Sequence, residues 1–161
     1  NSMKQIFTAA GFDQVFPVED QIHPDPNFPT VKFPNPEEPG AMDLALAEAK
    51  RVSADLIIAN DPDADRLAVG IPQENGFRML SGNELGILLA NFVASRESSG
   101  VMAASYVSTQ QLAKLATSKG FENELTPTGF KWIAKVKDLV FGFEEALGYC
   151  VDPKNTPTKM V

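Results

Sequence analysis

The sequence of 161 residues holds a single cysteine, a single histidine, a single tryptophan and two tyrosines. Cys150 alone cannot form an intrachain disulfide or supply a Cys-based zinc cluster, so a reducing compartment is expected. Basic residues are in deficit. Fourteen Lys and Arg against 21 Asp and Glu leave a net charge of -7. Nucleic acid and anionic membranes are bound mainly through clustered Lys and Arg, so neither is an expected partner. Long apolar runs are lacking too. The longest, residues 85–94, is broken by Gly86 and Asn91 and is too short to span a bilayer. The first residues lack the basic-then-apolar pattern of a secretion signal. These absences predict a soluble, cytoplasmic protein. No internal repeat at solenoid period is present.

What remains is ordinary globular material. Hydrophobic residues make up 43% and charged residues 22%, which excludes a disordered or fibrous chain. The length suits one domain or two small ones. Proline is the exception, with 12 in all and seven of them from Pro17 to Pro39. Residues 23–39 cannot form a central strand or a helix interior, because proline lacks the N–H donor. The segment holds two P-x-x-P patterns, Pro26/Pro29 and Pro36/Pro39, but an extended surface loop is the preferred reading over an SH3-type ligand.

The pattern elsewhere alternates. Helices are expected over residues 4–10, from Pro39 or Gly40 to Val52, from a cap at Ser81 or Asn83 through Val93, from a cap at Ser108 or Thr109 to Gly120, and over 130–136. Met42, Ala45, Leu46 and Ala49 share one helical face, and Leu85, Leu88, Leu89 and Phe92 share another. Strands are expected at 15–18, 56–59 (buried), 67–71, 101–107, 121–125 and 139–143, with a turn at Gly76. Residues 95–100 are small and polar and serve as the expected domain boundary. Alternating strands and helices predict an α/β fold with a largely parallel sheet. Ligands then sit at the carboxyl ends of strands, which directs attention to the loops after Ala59, Leu125 and Phe143.

The first of these loops carries concentrated charge: Asn60-Asp61-Pro62-Asp63-Ala64-Asp65-Arg66. Three carboxylates at alternate positions repel one another. A hard divalent cation such as Mg²⁺ removes that penalty, and it takes oxygen ligands while keeping positions open for water or phosphate. Pro62 restricts the unbound loop. Arg66 adds a planar fork suited to phosphate. A solvated acidic turn is the simplest alternative. A calcium EF-hand fails, since Arg66 and Pro72 stand where glycine and glutamate are needed. A phosphatase with an aspartyl nucleophile at Asp61 is a weaker alternative. For the loop after Phe143, Glu144 or Glu145 could accept hydrogen bonds from sugar hydroxyls, or the pair could simply open a helix. Thr128-Gly129-Phe130-Lys131 alone reads as a turn and cap. Phe130, Trp132 and Ile133 read as packing residues, and His23 and Cys150 have no partner pattern.

Several segments together resemble the α-D-phosphohexomutase superfamily, the phosphoglucomutases and phosphomannomutases. Asp25-Pro26-Asn27-Phe28-Pro29-Thr30 and Pro34-Asn35-Pro36-Glu37-Glu38 are similar to its Pro-rich stretch. Residues 59–67 look like its metal loop. Thr128-Gly129-Phe130-Lys131 and residues 141–149 look like its substrate loops, in the family's order. The resemblance implies Mg²⁺ bound by Asp61, Asp63 and Asp65, phosphate contact by Arg66, and sugar hydroxyls held by Glu144. Thr128 and Gly129 would line the cleft, and Lys131 would meet the substrate's anionic end. Ala146 stands where many members have serine, which removes one hydroxyl contact and resembles the phosphopentomutase and glucose-bisphosphate synthase branch, or certain bacterial phosphoglucomutases.

The resemblance further implies two consecutive α/β domains with Rossmann-like mixed or parallel sheets flanked by helices. Residues 1–97 would be the family's domain 2 and residues 98–161 an incomplete domain 3, with domains 1 and 4 missing as partners. The sequence contains no T/S-A-S-H-N-P loop for the phosphoserine nucleophile. Residues 151–159 lack the family's D-K-D-G segment. The implied parent reaction interconverts a sugar 1-phosphate and 6-phosphate, glucose first among them, through glucose 1,6-bisphosphate. The chain by itself is expected to lack turnover. The alternatives are a non-catalytic metal or phosphosugar-binding module and, more weakly, the aspartyl-phosphate phosphatase.

Overall fold

The structure, a computed structural model, describes residues 2–154. Residues 155–159, which complete the stretch compared with the D-K-D-G segment, and the last two residues of the expected second domain lie outside that range. The fold is mixed α/β with two sheets flanked by helices, in agreement with the expected class.

Helix α1 covers Ser2–Ala9, with Gly11 after it at φ 86°. Residues 15–18 do not form the expected strand. Pro17 cannot donate to a ladder and Phe16 is half exposed, so no sheet edge receives the segment. A 3-10 turn follows at Glu19–Gln21. The Pro-rich residues 23–39 form turns and bends on the surface, as expected.

Helix α2, Asp43–Val52, lays Met42, Ala45, Leu46 and Ala49 against Ile57, Phe77 and Met79 of the first sheet. That sheet has strands β1 (Ile57–Ala59), β2 (Ala68–Gln73) and β3 (Gly76–Met79) in the order β1-β2-β3. Both pairings are antiparallel, which departs from the largely parallel expectation. The reason is local: a two-residue connection at Glu74-Asn75 folds β3 straight back on β2, and only parallel strands need a helical crossover. The 56–59 segment is buried at Ile57 alone, with Leu56 and Ile58 exposed at the sheet edge.

Helix α3, Gly82–Ala94, lies between the two sheets. Leu85 and Leu89 pack on Val69 and Leu80, while Ala90 and Val93 join Phe141 and Phe143 of the second sheet. The face predicted from Leu85, Leu88, Leu89 and Phe92 is therefore corrected. Leu88 and Phe92 are more than half exposed, and the small residues Gly82, Gly86 and Ala90 make the close contact instead.

The second sheet holds β4 (Val101–Ser105), β5 (Glu122–Thr126), β6 (Leu139–Glu144) and β7 (Gly148–Cys150), ordered β5-β4-β6-β7. The first three are parallel and β7 is antiparallel. Helix α4 (Gln111–Lys119) and α3 cover the face bearing Met102, Ala104, Phe141 and Phe143. Helix α5 (Phe130–Ile133) covers the opposite face, with Ile133 and Val136 packed on Ala103. Met102, Phe141 and Phe143 are fully buried, each contributing on the order of 1.5–3 kcal/mol of hydrophobic stabilisation. Neither Ser108 nor Thr109 is the cap of α4; Gln110 occupies that position.

Candidate active site

The loop from β1 to β2 folds around Asp61. Its carbonyl accepts from the Ala64 N–H at 3.0 Å, and its Oδ1 accepts from the Arg66 N–H at 3.1 Å. The Asn60 side-chain amide donates to the Arg66 carbonyl at 2.6 Å and closes the loop across its base. Ala64 takes a left-handed φ of 60°, which reverses the chain between Asp63 and Asp65. The result brings the three carboxylates to one side, with oxygens of Asp61, Asp63 and Asp65 all within 4.8 Å of one another. All three donors are carboxylate oxygens, the ligand type that a hard divalent cation takes. Asp63 and Asp65 are exposed and leave the outer side open. Arg66 Nε lies 3.6 Å from Asp61 Oδ2 and 4.0 Å from Asp65 Oδ1, so its half-exposed fork is held at the edge of the cluster.

The Asp61–Arg66 loop is joined directly to the turn between β6 and β7. The Leu67 N–H donates to the Leu147 carbonyl at 3.0 Å, and Arg66 forms an isolated antiparallel bridge with Gly148. Arg66 therefore leaves the backbone beside the strand end that carries Glu144 and Glu145. Tyr149, on β7, donates its hydroxyl to the Gly82 carbonyl at 3.2 Å. Burial, reinforced by the charge of Glu37, raises its phenol well above the ordinary value and keeps that donor protonated. Helix α3 begins against the same turn: a Cβ built on Gly82 would lie 1.8 Å from the Glu145 carbonyl oxygen.

Glu144 and Glu145 part company. Glu144 Oε1 accepts from the Gly129 N–H at 2.5 Å, which places the loop after β5 beside the loop after β6. Gly129 has φ 115°, a conformation that side-chain-bearing residues rarely adopt. Glu145 points to the other face. Its Oε2 accepts from Ser105 Oγ at 3.0 Å and Ser108 Oγ at 2.7 Å. Burial alone would raise this carboxyl, but the Ser108, backbone and Ser105 donors outweigh it and hold it below its ordinary range.

Two family descriptions match the chain. Phosphoglucomutase/phosphomannomutase alpha/beta/alpha domain II matches residues 1–74, and domain III of the same family matches residues 81–159. The chain belongs to the phosphoglucomutase/phosphomannomutase family. A Haemophilus influenzae protein named "Probable phosphomannomutase" is 49% identical over 160 residues, covering 98% of this chain and 33% of that protein. Human phosphopentomutase is 44% identical over 164 residues, covering 88% of this chain and 27% of the relative. The chain thus spans about a third or less of these relatives. A Burkholderia thailandensis phosphoglucomutase/phosphomannomutase family structure superposes with a TM-score of 0.69 at 24% identity, over 80% of this chain and 28% of that one, and shares the fold. The matches lend no support to the binding-module or phosphatase alternatives.

Within this family framework, the predicted positions fall into two groups. Asp61, Asp63, Asp65 and Arg66 form one cluster, and Gly129 and Glu144 are directly bonded. Thr128, Lys131 and Ala146 are exposed around them. Lys131 Nζ lies 5.7 Å from the Trp132 ring centroid, and Lys135 Nζ lies 4.7 Å from it. Trp132 is 40% exposed and carries these cations, so of the expected packing trio only Ile133 is fully buried. Sequence reasoning missed Ser105 and Ser108 as partners of Glu145. Ser108 read as a helix cap, and only the position of Ser105 at the end of an apolar strand gave a signal.

Proposed function

We propose that this chain forms the metal-binding and sugar-binding centre of a Mg²⁺-dependent phosphohexomutase that interconverts a sugar 1-phosphate and 6-phosphate. Glucose 1-phosphate and glucose 6-phosphate are the leading substrates, and glucose 1,6-bisphosphate is the intermediate. The nucleophilic phosphoserine lies outside this sequence, in a cytoplasmic parent protein. Residues 1–97 supply the metal loop and residues 98–161 the sugar loop. The single supporting observation is the joining of the two loops: the Asp61–Arg66 cluster is bonded through Leu67 and Arg66 to the turn that follows Glu144.

Asp61, Asp63 and Asp65 would hold Mg²⁺, which when bound neutralises charge on the transferring phosphoryl group. The residues of the chain do the rest. Arg66, oriented by Asp61, presents N–H donors to phosphate oxygens at the edge of the cluster. Glu144 has one oxygen on Gly129 and keeps acceptor capacity for sugar hydroxyls. Thr128 and Gly129 line that side, and Lys131 offers a mobile cation for the distal phosphate. Ala146 leaves space without a hydroxyl. These contacts orient a doubly anionic sugar without themselves donating a phosphoryl group.

The test is a ¹H–¹⁵N titration of the chain with glucose 1-phosphate in the presence of Mg²⁺. The expected shifts cluster at residues 60–67, 128–131 and 144–148. Shifts confined to other parts of the chain, or none at saturating sugar phosphate, would refute the assignment. A parallel coupled assay is expected to detect no mutase turnover above an Asp63→Ala control.

A further inference from the structure

A partly buried carboxylate that the proposed mechanism does not use, Glu145, stands directly beside Glu144. We propose that Glu145 is a positioning residue, clasped by Ser105 and Ser108, that sets the direction of the Glu144 carboxylate; the role in sugar binding rests on the functional reading above. The clasp joins three segments. Ser105 ends β4 and is fully buried; Ser108, also buried, lies in the connection to α4. Their hydroxyls lie 2.8 Å apart, and both donate to Glu145 Oε2 at 3.0 and 2.7 Å. The Glu145 N–H returns the interaction, donating to Ser108 Oγ at 3.2 Å. A backbone group and a carboxylate of one residue are thus fixed on the same hydroxyl.

The chemistry fits a fixed anchor better than a ligand site. Two hydroxyl protons are available, and one ionised carboxylate oxygen accepts both. No cation forms an ion pair with Glu145 among the described residues. The arrangement is a neutral-donor cradle that holds charge in place without a partner competing for it.

The consequence for Glu144 follows from strand geometry. Successive side chains on a strand point to opposite faces. Phe141 and Phe143 face α3 and α4, whereas Gly142 faces α5, where an added Cβ would lie 2.3 Å from Ile133. Holding Glu145 towards Ser108, on the α4 side, leaves Glu144 aimed at the α5 side, where it meets the Gly129 N–H. With the clasp released, the turn at residues 145–147 is still held at Leu147, but the Glu145 backbone loses its tie to Ser108 and the Glu144–Gly129 bond is lost with it.

The Gly129 amide is the reporter, because its partner is Glu144 and not Glu145. Glu144→Ala, Glu145→Ala, Glu145→Gln and Ser108→Ala would be compared with the unaltered chain by amide hydrogen exchange and ¹H–¹⁵N spectra. Loss of the bond is expected to speed Gly129 exchange by about tenfold in Glu144→Ala and in Glu145→Ala, as for one charge-assisted hydrogen bond. The amides of β1 and β2 are expected to stay unchanged. Glu145→Gln keeps one acceptor oxygen and is expected to recover part of the protection. An unchanged Gly129 in Glu145→Ala overturns the proposal, as does loss of protection spread evenly over the whole second sheet. If Glu145→Ala does not fold, unchanged Gly129 protection in both Glu145→Gln and Ser108→Ala overturns it. A glucose 1-phosphate titration separates the two levels. Gly129 responding to Glu145→Ala in a chain indifferent to the sugar phosphate refutes the sugar reading and leaves the clasp. A chain that binds the sugar phosphate while Gly129 ignores Glu145→Ala refutes the clasp alone.

Discussion

At the scale of residues, the site depends on a few very close approaches. Gly82 is the tightest, since any Cβ there collides with the Glu145 carbonyl. Gly82→Ala is expected to destabilise the chain by about 1–3 kcal/mol, the range for an overpacked contact. It should also shift the amides of residues 144–148, which a denaturant melt and a ¹H–¹⁵N spectrum would check. Wild-type stability with an undisturbed turn would contradict that close packing. The clustering of Asp61, Asp63 and Asp65 was legible in the sequence because their alternate spacing lets one turn bring their oxygens together. The division of labour between Glu144 and Glu145 was not legible. Adjacent glutamates look alike until strand direction sends one to Gly129 and the other to Ser105 and Ser108.

At the scale of elements, α3 is the member that ties the halves together, and its start is specified by a capping box. Ser81 Oγ accepts from the Glu84 N–H at 3.3 Å, and Glu84 Oε2 accepts from the Ser81 N–H at 2.8 Å. Ser81→Ala is expected to cost about 1 kcal/mol in a denaturant melt. Arg78 first, then Ser81, draw the Glu84 carboxyl down from 4.5 to about 2. A lowered folded-state value means the contribution is complete above the unfolded value and is lost as pH falls through the folded one. Thermal stability should therefore decline between pH 4.5 and 2, and Glu84→Gln should flatten that part of the profile. The sequence left the cap open between Ser81 and Asn83, and the box that Ser81 forms with Glu84 decides it. The buried face of α3 was not. Leu88 and Phe92 are the more hydrophobic residues, but glycine and alanine let the helix approach Phe143, so proximity overrode hydrophobicity. Strands β3 and β7 escaped notice because each is short, and β3 begins at Gly76, which reads as a turn.

At the scale of the whole molecule, the order of strands and helices gave the α/β class, and the second sheet with its three parallel strands met that expectation. The antiparallel first sheet did not, since a tight hairpin leaves no trace in an alternating pattern beyond Asn75-Gly76. Loops distant in sequence meet because α3 holds both sheets, and this long-range arrangement has no local signature. The family framework supplied it through the order of the motifs. Binding of metal and sugar phosphate by one chain, with no phosphoryl donor of its own, is the functional expectation at this scale.

The most direct measurement is a Mn²⁺ titration followed by electron paramagnetic resonance, on the chain and on Asp63→Ala, with and without glucose 1-phosphate. One bound ion is expected, with affinity at least about tenfold weaker in Asp63→Ala, since even changes beside a ligand commonly cost that much. Sugar phosphate is expected to perturb the signal of the bound ion. Equal binding by the folded Asp63→Ala chain, shown by an unchanged circular-dichroism melt, would contradict the placement of the metal at Asp61, Asp63 and Asp65.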